Sequence, residues 1–171
     1  MKTFKEFSKI NENINFTNES ANALKGVKEY RDGLTPKIIK EEYPWLLKAK
    51  FKDAIIGVDK RFVLVWYDGV WESGTWEYGT WKSGTWKKGG WYDGTWESGS
   101  WLDGVWYNGT WISGTWEDGW WKDGTWKDGT WKDGIWFDGI WNLGRWKKGK
   151  IQNQETGKSE ESDEPPTEDF D

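Results

Sequence analysis

The side chains of this chain that can do chemistry are carboxylates, lysines and tyrosines, because the chain contains no cysteine and no histidine. Disulfides, thiol and imidazole catalysis and the usual zinc and haem ligands are therefore excluded. Asp103 with Asp123, and Asp118 with Asp138, recur at a spacing that offers oxygen ligands for Ca²⁺. A glycine follows each of these aspartates, however, and turn chemistry explains them fully. We therefore expect no metal, no cofactor and no catalytic site.

A five-residue repeat must position these side chains. Tryptophan occupies every fifth residue from Trp66 to Trp146, 17 in all, and a glycine follows each one three residues later. A helix is excluded, because glycine at this frequency costs about 1 kcal/mol at each occurrence. Asp, Asn or Ser precedes the glycine in 13 of the 17 units, which is typical of tight turns. We predict a short strand and a turn in each unit, coiled into a solenoid with the indoles inside. A flat meander would need a second layer to cover them.

The unit Gly69–Ser73 (Gly-Val-Trp-Glu-Ser) resembles that of pentapeptide-repeat proteins, which have a small residue, then Asp or Asn, then a central Leu or Phe. The resemblance implies an all-β, right-handed, quadrilateral β-helix, with glycine in the small slot offsetting the larger indole. Counting in fives places Leu46, Phe51 and Ile56 before the tryptophans and Ile151 after them. This predicts a solenoid over 46–151, about five coils of four units. Each buried indole N–H needs an acceptor, for which we expect a backbone carbonyl.

The two ends differ from the repeat. Residues 17–45 are predicted as a helical cap, with one amphipathic helix over 17–33 and a second from Thr35-Pro36 that ends at Pro44. Such a cap would cover the open first coil. Residues 152–171 are acidic and almost free of apolar side chains, which predicts a disordered tail.

The first residues, Met1–Phe7 (Met-Lys-Thr-Phe-Lys-Glu-Phe), resemble the capsid-targeting leader of internal head proteins in T4-type tailed phages. In that family a head protease cuts after Glu in a Leu/Ile-x-Glu pattern, which Ile10, Asn11 and Glu12 fit. The resemblance implies a leader over 1–16, cleaved after Glu12, and a location in a virion or the host cytoplasm. An ordinary amphipathic segment is the alternative. The segment lacks the apolar core of a secretory signal, and no stretch of the chain approaches the roughly 20 apolar residues of a membrane span.

The outward positions of the repeat lose their usual Thr, Lys and Asp near the C-terminal end. We predict a partner surface there, for a second copy or a virion component, formed by Ile112, Trp120, Ile135, Phe137, Ile140 and Leu143. Scattered surface residues are the alternative. With four units in a coil, Tyr67 and Tyr107 would share a column near Tyr92, which suggests a weaker ligand platform.

Three functions follow from these features. The leading one is a non-enzymatic structural or interaction protein of a phage virion or head. The second is an inhibitor of a host DNA-handling enzyme by DNA mimicry, which the mildly acidic repeat (9 Lys/Arg against 12 Asp/Glu over 66–149) disfavours. The third is a glycan-binding module. No part of the chain is basic enough to predict nucleic-acid binding, and no membrane partner is expected.

Overall fold

The computed structural model describes residues 24–167. The range begins with strand β1 (Val27–Tyr30), helix α1 (Pro36–Glu42) and a 3-10 helix (Pro44–Lys48). Thr35 caps α1, because its hydroxyl accepts a hydrogen bond from the Ile38 amide at 3.2 Å. This second predicted helix is confirmed. Two longer strands follow, β2 (Lys50–Val58) and β3 (Leu64–Ser73).

The repeat then forms one two-residue strand in each unit. These strands are β4 to β18, in order Thr75–Trp76, Thr80–Trp81, Thr85–Trp86, Gly90–Trp91, Thr95–Trp96, Ser100–Trp101, Val105–Trp106, Thr110–Trp111, Thr115–Trp116, Trp120–Trp121, Thr125–Trp126, Thr130–Trp131, Ile135–Trp136, Ile140–Trp141 and Arg145–Trp146. Strands β19 (Gly149–Gln152) and β20 (Ser159–Ser162) complete the described chain.

The strands pair in parallel with a register of three units. Trp66 lies opposite Trp81, and Trp81 lies opposite Trp96, so each coil advances the chain by fifteen residues. Three parallel faces result. The first face contains the Trp66 column, the second the Trp71 column and the third the Trp76 column. The prediction of an all-β solenoid is confirmed, but the prediction of a quadrilateral coil is wrong. Its right-handedness stays a prediction.

Indole packing explains why three units close a coil. Within each column the rings stack, as Trp91 does on Trp106 with centroids 4.9 Å apart and planes 5° apart. Between columns they meet edge to face, as Trp101 does with Trp106 at 6.0 Å and 72°. Each ring thus uses its faces along the rod axis and its edges across it. Three indoles in contact by their edges fill the cross-section, and every tryptophan of the five-residue series from Trp66 to Trp131 is fully buried.

The corners require glycine. At Gly104 the φ angle is +133°, and a Cβ there would lie 2.4 Å from the carbonyl oxygen of Gly89 in the preceding coil. A triangular corner turns the chain more sharply than a square one, and a glycine at positive φ permits this turn. The preceding Asp stabilises the corner, since Asp103 Oδ1 accepts a hydrogen bond from the Gly104 amide at 2.6 Å.

The indole N–H groups find fewer acceptors than we expected. Trp111 donates to the Asp128 carbonyl and Trp126 to the Leu143 carbonyl, both at 3.1 Å. Twelve other indoles between Trp66 and Trp131 have no acceptor within residues 24–167. Backbone carbonyls are therefore the acceptors in these two cases, and most of the buried indole donors have none.

The N-terminal end departs from the prediction in two respects. Val27–Tyr30 is a strand and not part of a helix, because β1 pairs in parallel with the edge of β2. Residues 50–58 are not coil units, because β2 runs antiparallel to β3. Asp59 causes this reversal, since its Oδ1 accepts hydrogen bonds from the amides of Arg61 and Val63 at 2.8 and 2.9 Å.

Aromatic side chains close this end of the rod. Phe51 packs under the first coil, with its ring 5.6 Å from that of Trp66. Trp45, in the 3-10 helix, lies 5.1 Å from Trp76. The short helical region therefore caps the first coil, as predicted, and the apolar residues spaced by fives before Trp66 belong to this cap.

The C-terminal end is also ordered by pairing. Ile151 continues the third face opposite Trp136, as predicted. The prediction of disorder from residue 152 is wrong for β20, which pairs antiparallel with β19. Trp146 donates its indole N–H to the Ser162 carbonyl at 3.0 Å. Pairing with the last third-face strand stabilises a sequence that lacks a core of its own. Residues 168–171 lie outside the described range.

Candidate functional site

The three faces of the rod carry different side chains on the outside. On the first and second faces Thr and charged residues predominate, and the charged residues pair between successive coils. The exposed apolar exceptions include Leu102, Ile112 and Ile140. Lys82 bonds Glu97 on the first face, and Lys132 bonds Glu117 on the second, both at 2.7 Å. These two faces look like ordinary solvated β-surfaces.

The third face is apolar and aromatic instead. Its outward positions in four successive coils form what we call the third-face strip: Gly90, Tyr92, Val105, Tyr107, Trp120, Lys122, Ile135 and Phe137. Trp120 is 49% exposed and Tyr92 50% exposed. Because neighbouring strands lie about 4.8 Å apart, the strip is about 14 Å long from Tyr92 to Phe137. Large apolar side chains gathered in this way are typical of a contact surface.

The tyrosines of the strip stack on each other. The rings of Tyr92 and Tyr107 lie 4.5 Å apart with planes 24° apart. A Cβ on Gly90 would lie 3.4 Å from the Tyr107 ring and 3.5 Å from the Tyr92 ring, so the two rings lie over this glycine. The faces that they turn toward each other are therefore closed to a ligand.

Lys122 is the only charged side chain within the strip. Its ammonium lies 3.3 Å from the centroid of the Phe137 ring and 4.8 Å from that of Trp120. It forms no ion pair within the described residues. Burial against the two rings lowers the pKa of the Lys122 ammonium.

Aspartates border the strip on both sides. We call them the rim acids: Asp103, Asp118 and Asp133 at the corner before the third face, and Asp93, Asp123 and Asp138 at the corner after it. Each accepts a hydrogen bond from the amide of the next glycine. Lys148 pairs with Asp133 at 2.6 Å and lowers the pKa of that carboxyl. The other rim acids have no ion pair within residues 24–167. Lys88 and Asn108 occupy the two remaining corner positions, so the borders of the strip are anionic except at the Lys88 corner before Gly90.

The structure divides the predicted partner surface between two faces. Trp120, Ile135 and Phe137 lie together in the third-face strip. Ile112, Ile140 and Leu143 lie on the first face or its corner, because they belong to the units of Trp111 and Trp141. Leu143 is 68% exposed and Ile140 45% exposed at the end of that face. The fifteen-residue register, in place of the expected twenty, causes this division.

The other predicted columns also change with the register. Tyr67 lies on the first face at the N-terminal end, where its hydroxyl donates to Asp32 at 2.6 Å, away from Tyr92 and Tyr107. Asp103 stacks with Asp118 and not with Asp123. No group of three or more metal-ligating side chains occurs in the described part of the chain. The candidate processing site, Ile10, Asn11 and Glu12, lies outside the described residues.

The sequence contains a signal for the strip that a twenty-residue period hides. The position before Trp departs from Thr at Gly90, Val105, Trp120 and Ile135, which are fifteen residues apart. Tyr92 and Tyr107 follow the same interval. Three units per coil bring all of these positions to one face.

No protein-family model, no curated protein and no solved structure matches this chain. What the structure defines is a class: a three-sided β-solenoid of five-residue units with a tryptophan core, similar to pentapeptide-repeat proteins in its use of one small and one large residue in each unit. No helix between residues 24 and 167 is long and apolar enough to cross a membrane.

Proposed function

We propose that this protein is a non-enzymatic interaction scaffold, a rigid rod that presents the third-face strip to a protein partner. The observation that carries the proposal is the outward Trp120, in a position that Thr fills in 8 of the 16 other units. Thr pairs equally well in the strands of the first face, as Thr110 does with Thr125. Trp120 is therefore not required for the coil, and exposed tryptophan is typical of binding surfaces.

The alternatives have less support. For DNA mimicry, an uninterrupted anionic face is needed, and ion pairs such as Lys82 with Glu97 neutralise the first two faces. For glycan binding, open ring faces are needed, and Tyr92 and Tyr107 turn faces toward each other. Lys122 covers one face of Phe137 in the same way. The ring edges and methyl groups of the strip remain accessible, and these suit contact with a protein surface better than contact with a sugar.

Site-directed photo-crosslinking tests this proposal. A photoreactive phenylalanine analogue replaces Tyr107, and the matched control replaces Leu102, which occupies the equivalent position on the second face with similar exposure, 38% against 40%. In lysate of the native host cells we expect a discrete crosslinked partner from position 107 that W120T abolishes. Equal crosslinking from position 102, or crosslinking that W120T leaves unchanged, would refute the proposal.

We further propose that the partner is a component of a phage virion. Met1–Glu12 alone supports this, through its likeness to a capsid-targeting leader. Mass spectrometry of purified particles is the test, with the chain expected in the particle and beginning at Asn13. Absence from particles would end the virion proposal, and an intact Met1 in particles would end the cleavage proposal. Neither result would change the crosslinking test of the third-face strip.

A further inference from the structure

The third-face strip and its rim acids together specify the chemistry of an occupant. The strip offers aromatic and aliphatic contacts over about 14 Å. The rim acids offer negative charge along both borders except at the Lys88 corner, and five of the six have no cationic partner within residues 24–167. A segment with apolar residues along one side and lysines beside them complements this surface.

Residues 1–16 of this chain have that composition. Phe4, Phe7, Ile10 and Ile14 recur at intervals of three and four residues. Lys2, Lys5 and Lys9 lie between them, against Glu6 and Glu12. Glu6 lies between these lysines in the sequence, and its negative charge is complementary to Lys122, the one cation within the strip.

We propose that residues 1–16 bind across the third-face strip of their own chain, with the apolar side chains on the aromatic surface and the lysines at the rim acids. The chain between them is long enough. Residues 17–23 span up to about 23 Å when extended, and Leu24 is held in the core at the N-terminal end of the rod. The strip begins one coil above the first third-face strand.

Two other occupants fit less well. A second copy of the third face would bring its own rim acids against those of the first, so like charges would oppose each other. The C-terminal segment is already placed at the end of the third face, where β19 pairs with β16 and the Gln154 side-chain amide donates to the Phe137 carbonyl. With 2 Lys against 8 Asp and Glu over 150–171, it would meet the same repulsion along the rest of the strip. The N-terminal segment is the part of the chain whose charge and apolar pattern both match.

The inference goes beyond the proposed function, because this contact requires no other protein. It also gives the predicted cleavage after Glu12 a consequence. Cleavage would remove Phe4, Phe7, Ile10 and all three lysines, which are the side chains that this contact uses.

Paramagnetic relaxation in the full chain tests the inference. The chain has no cysteine, so T3C carries a nitroxide at a single position. We expect the amide signals of Val105 and Tyr107 and the indole signal of Trp120 to lose most of their intensity. Thr85 and Leu102, on the second face, provide the reference and should keep theirs.

A charge variant makes the test specific. D103N/D118N/D123N/D138N removes four rim acids but keeps the corners, because Asn108 already bonds the Gly109 amide at 2.7 Å. Each exposed ion pair contributes a factor of about two, so the intramolecular contact should weaken about tenfold and the strip signals should recover. D68N/D128N, on the first-face corner, is the control and should change nothing.

Four outcomes would overturn the inference. One is an undisturbed strip, and another is disturbance confined to β1 and α1. The third is disturbance that appears only between mixed chains, with the nitroxide on one copy and ¹⁵N in the other, which would assign the segment to a second copy. The fourth is an equal loss of the strip signals in the charge variant, which would remove the argument from charge and the inference with it. The relaxation experiment contains no partner protein, so its outcome does not decide the crosslinking test of the proposed function.

Discussion

Replacing Gly119 by alanine tests the claim that the corners specify this coil. The φ angle of Gly119 is +125°, in a region that side chains of L-residues avoid. An added Cβ would lie 2.5 Å from the Gly104 carbonyl oxygen and 3.0 Å from the Gly104 nitrogen. Both atoms belong to the backbone of the neighbouring coil, which cannot move without breaking the parallel ladder. The structure therefore predicts a large loss of stability from a single methyl group.

The magnitude follows from two terms. Backbone strain in this region costs about 1–3 kcal/mol, and forcing a methyl group into a filled space costs a further 1–3 kcal/mol or so. We expect G119A to lower the free energy of unfolding by about 3–5 kcal/mol from these two terms together. Gly157 provides the matched control. Its φ angle is +67° and an added Cβ would have no neighbour within 4 Å, so G157A should cost only about 1 kcal/mol.

Urea unfolding followed by far-ultraviolet circular dichroism measures both variants. Because repeat proteins can unfold in parts, the midpoint and the slope should both be compared. We expect a clear fall in the midpoint for G119A and almost none for G157A. If the free energy of unfolding of G119A lay within about 1 kcal/mol of the parent's, or equalled that of G157A, the claim that successive corners approach this closely would be wrong.

Three further predictions follow from particular contacts. W121A, in the middle of the third column, should lower the free energy of unfolding by about 3–5 kcal/mol. W141A, half-buried at the end of its column, should lower it clearly less in the same urea titration. Equal losses would argue against column stacking. D123A should cost about 0.5–1.5 kcal/mol through loss of the bond to the Gly124 amide, whereas D123N should be nearly neutral in the same titration. Burial raises the pKa of Tyr43, whose hydroxyl donates to the Phe62 carbonyl, so the folded state resists ionisation while the unfolded state ionises near pH 10. Stability should therefore fall as the pH rises above about 10, and Y43F should flatten that fall in thermal scans; an unchanged slope would contradict the assignment.

Much of the coil could be predicted from the sequence, because two residue types repeat without exception. Gly at the corner and Trp inside each unit exclude a helix and favour a solenoid. The number of units per coil could not be predicted in this way. It depends on how indoles pack across the rod, and Trp101 with Trp106 shows an edge-to-face contact that a resemblance based on Leu or Phe does not contain.

The structure of the two ends was harder to predict from the sequence, for a related reason. Val27–Tyr30 and Ser159–Ser162 form strands because an edge of the solenoid is available to pair with them, and their own sequences do not require it. Phe51 kept the five-residue spacing but lies in a strand of opposite direction, since Asp59 organises a turn. Tertiary pairing decided these segments.

The same reasoning separates folding from function on the third face. In every unit Trp fills the core and Gly makes the corner, so the outward position before Trp only has to fit a strand. Thr does so on the first face from coil to coil, which shows what folding alone requires. Trp120 and Ile135 place larger apolar side chains in the same position, and Trp120 remains 49% exposed although Lys122 and Phe137 pack against it. One face departs from Thr in four consecutive coils, while its neighbours depart only at Ser100 between residues 80 and 130, and this difference supports the proposed partner surface on the third face.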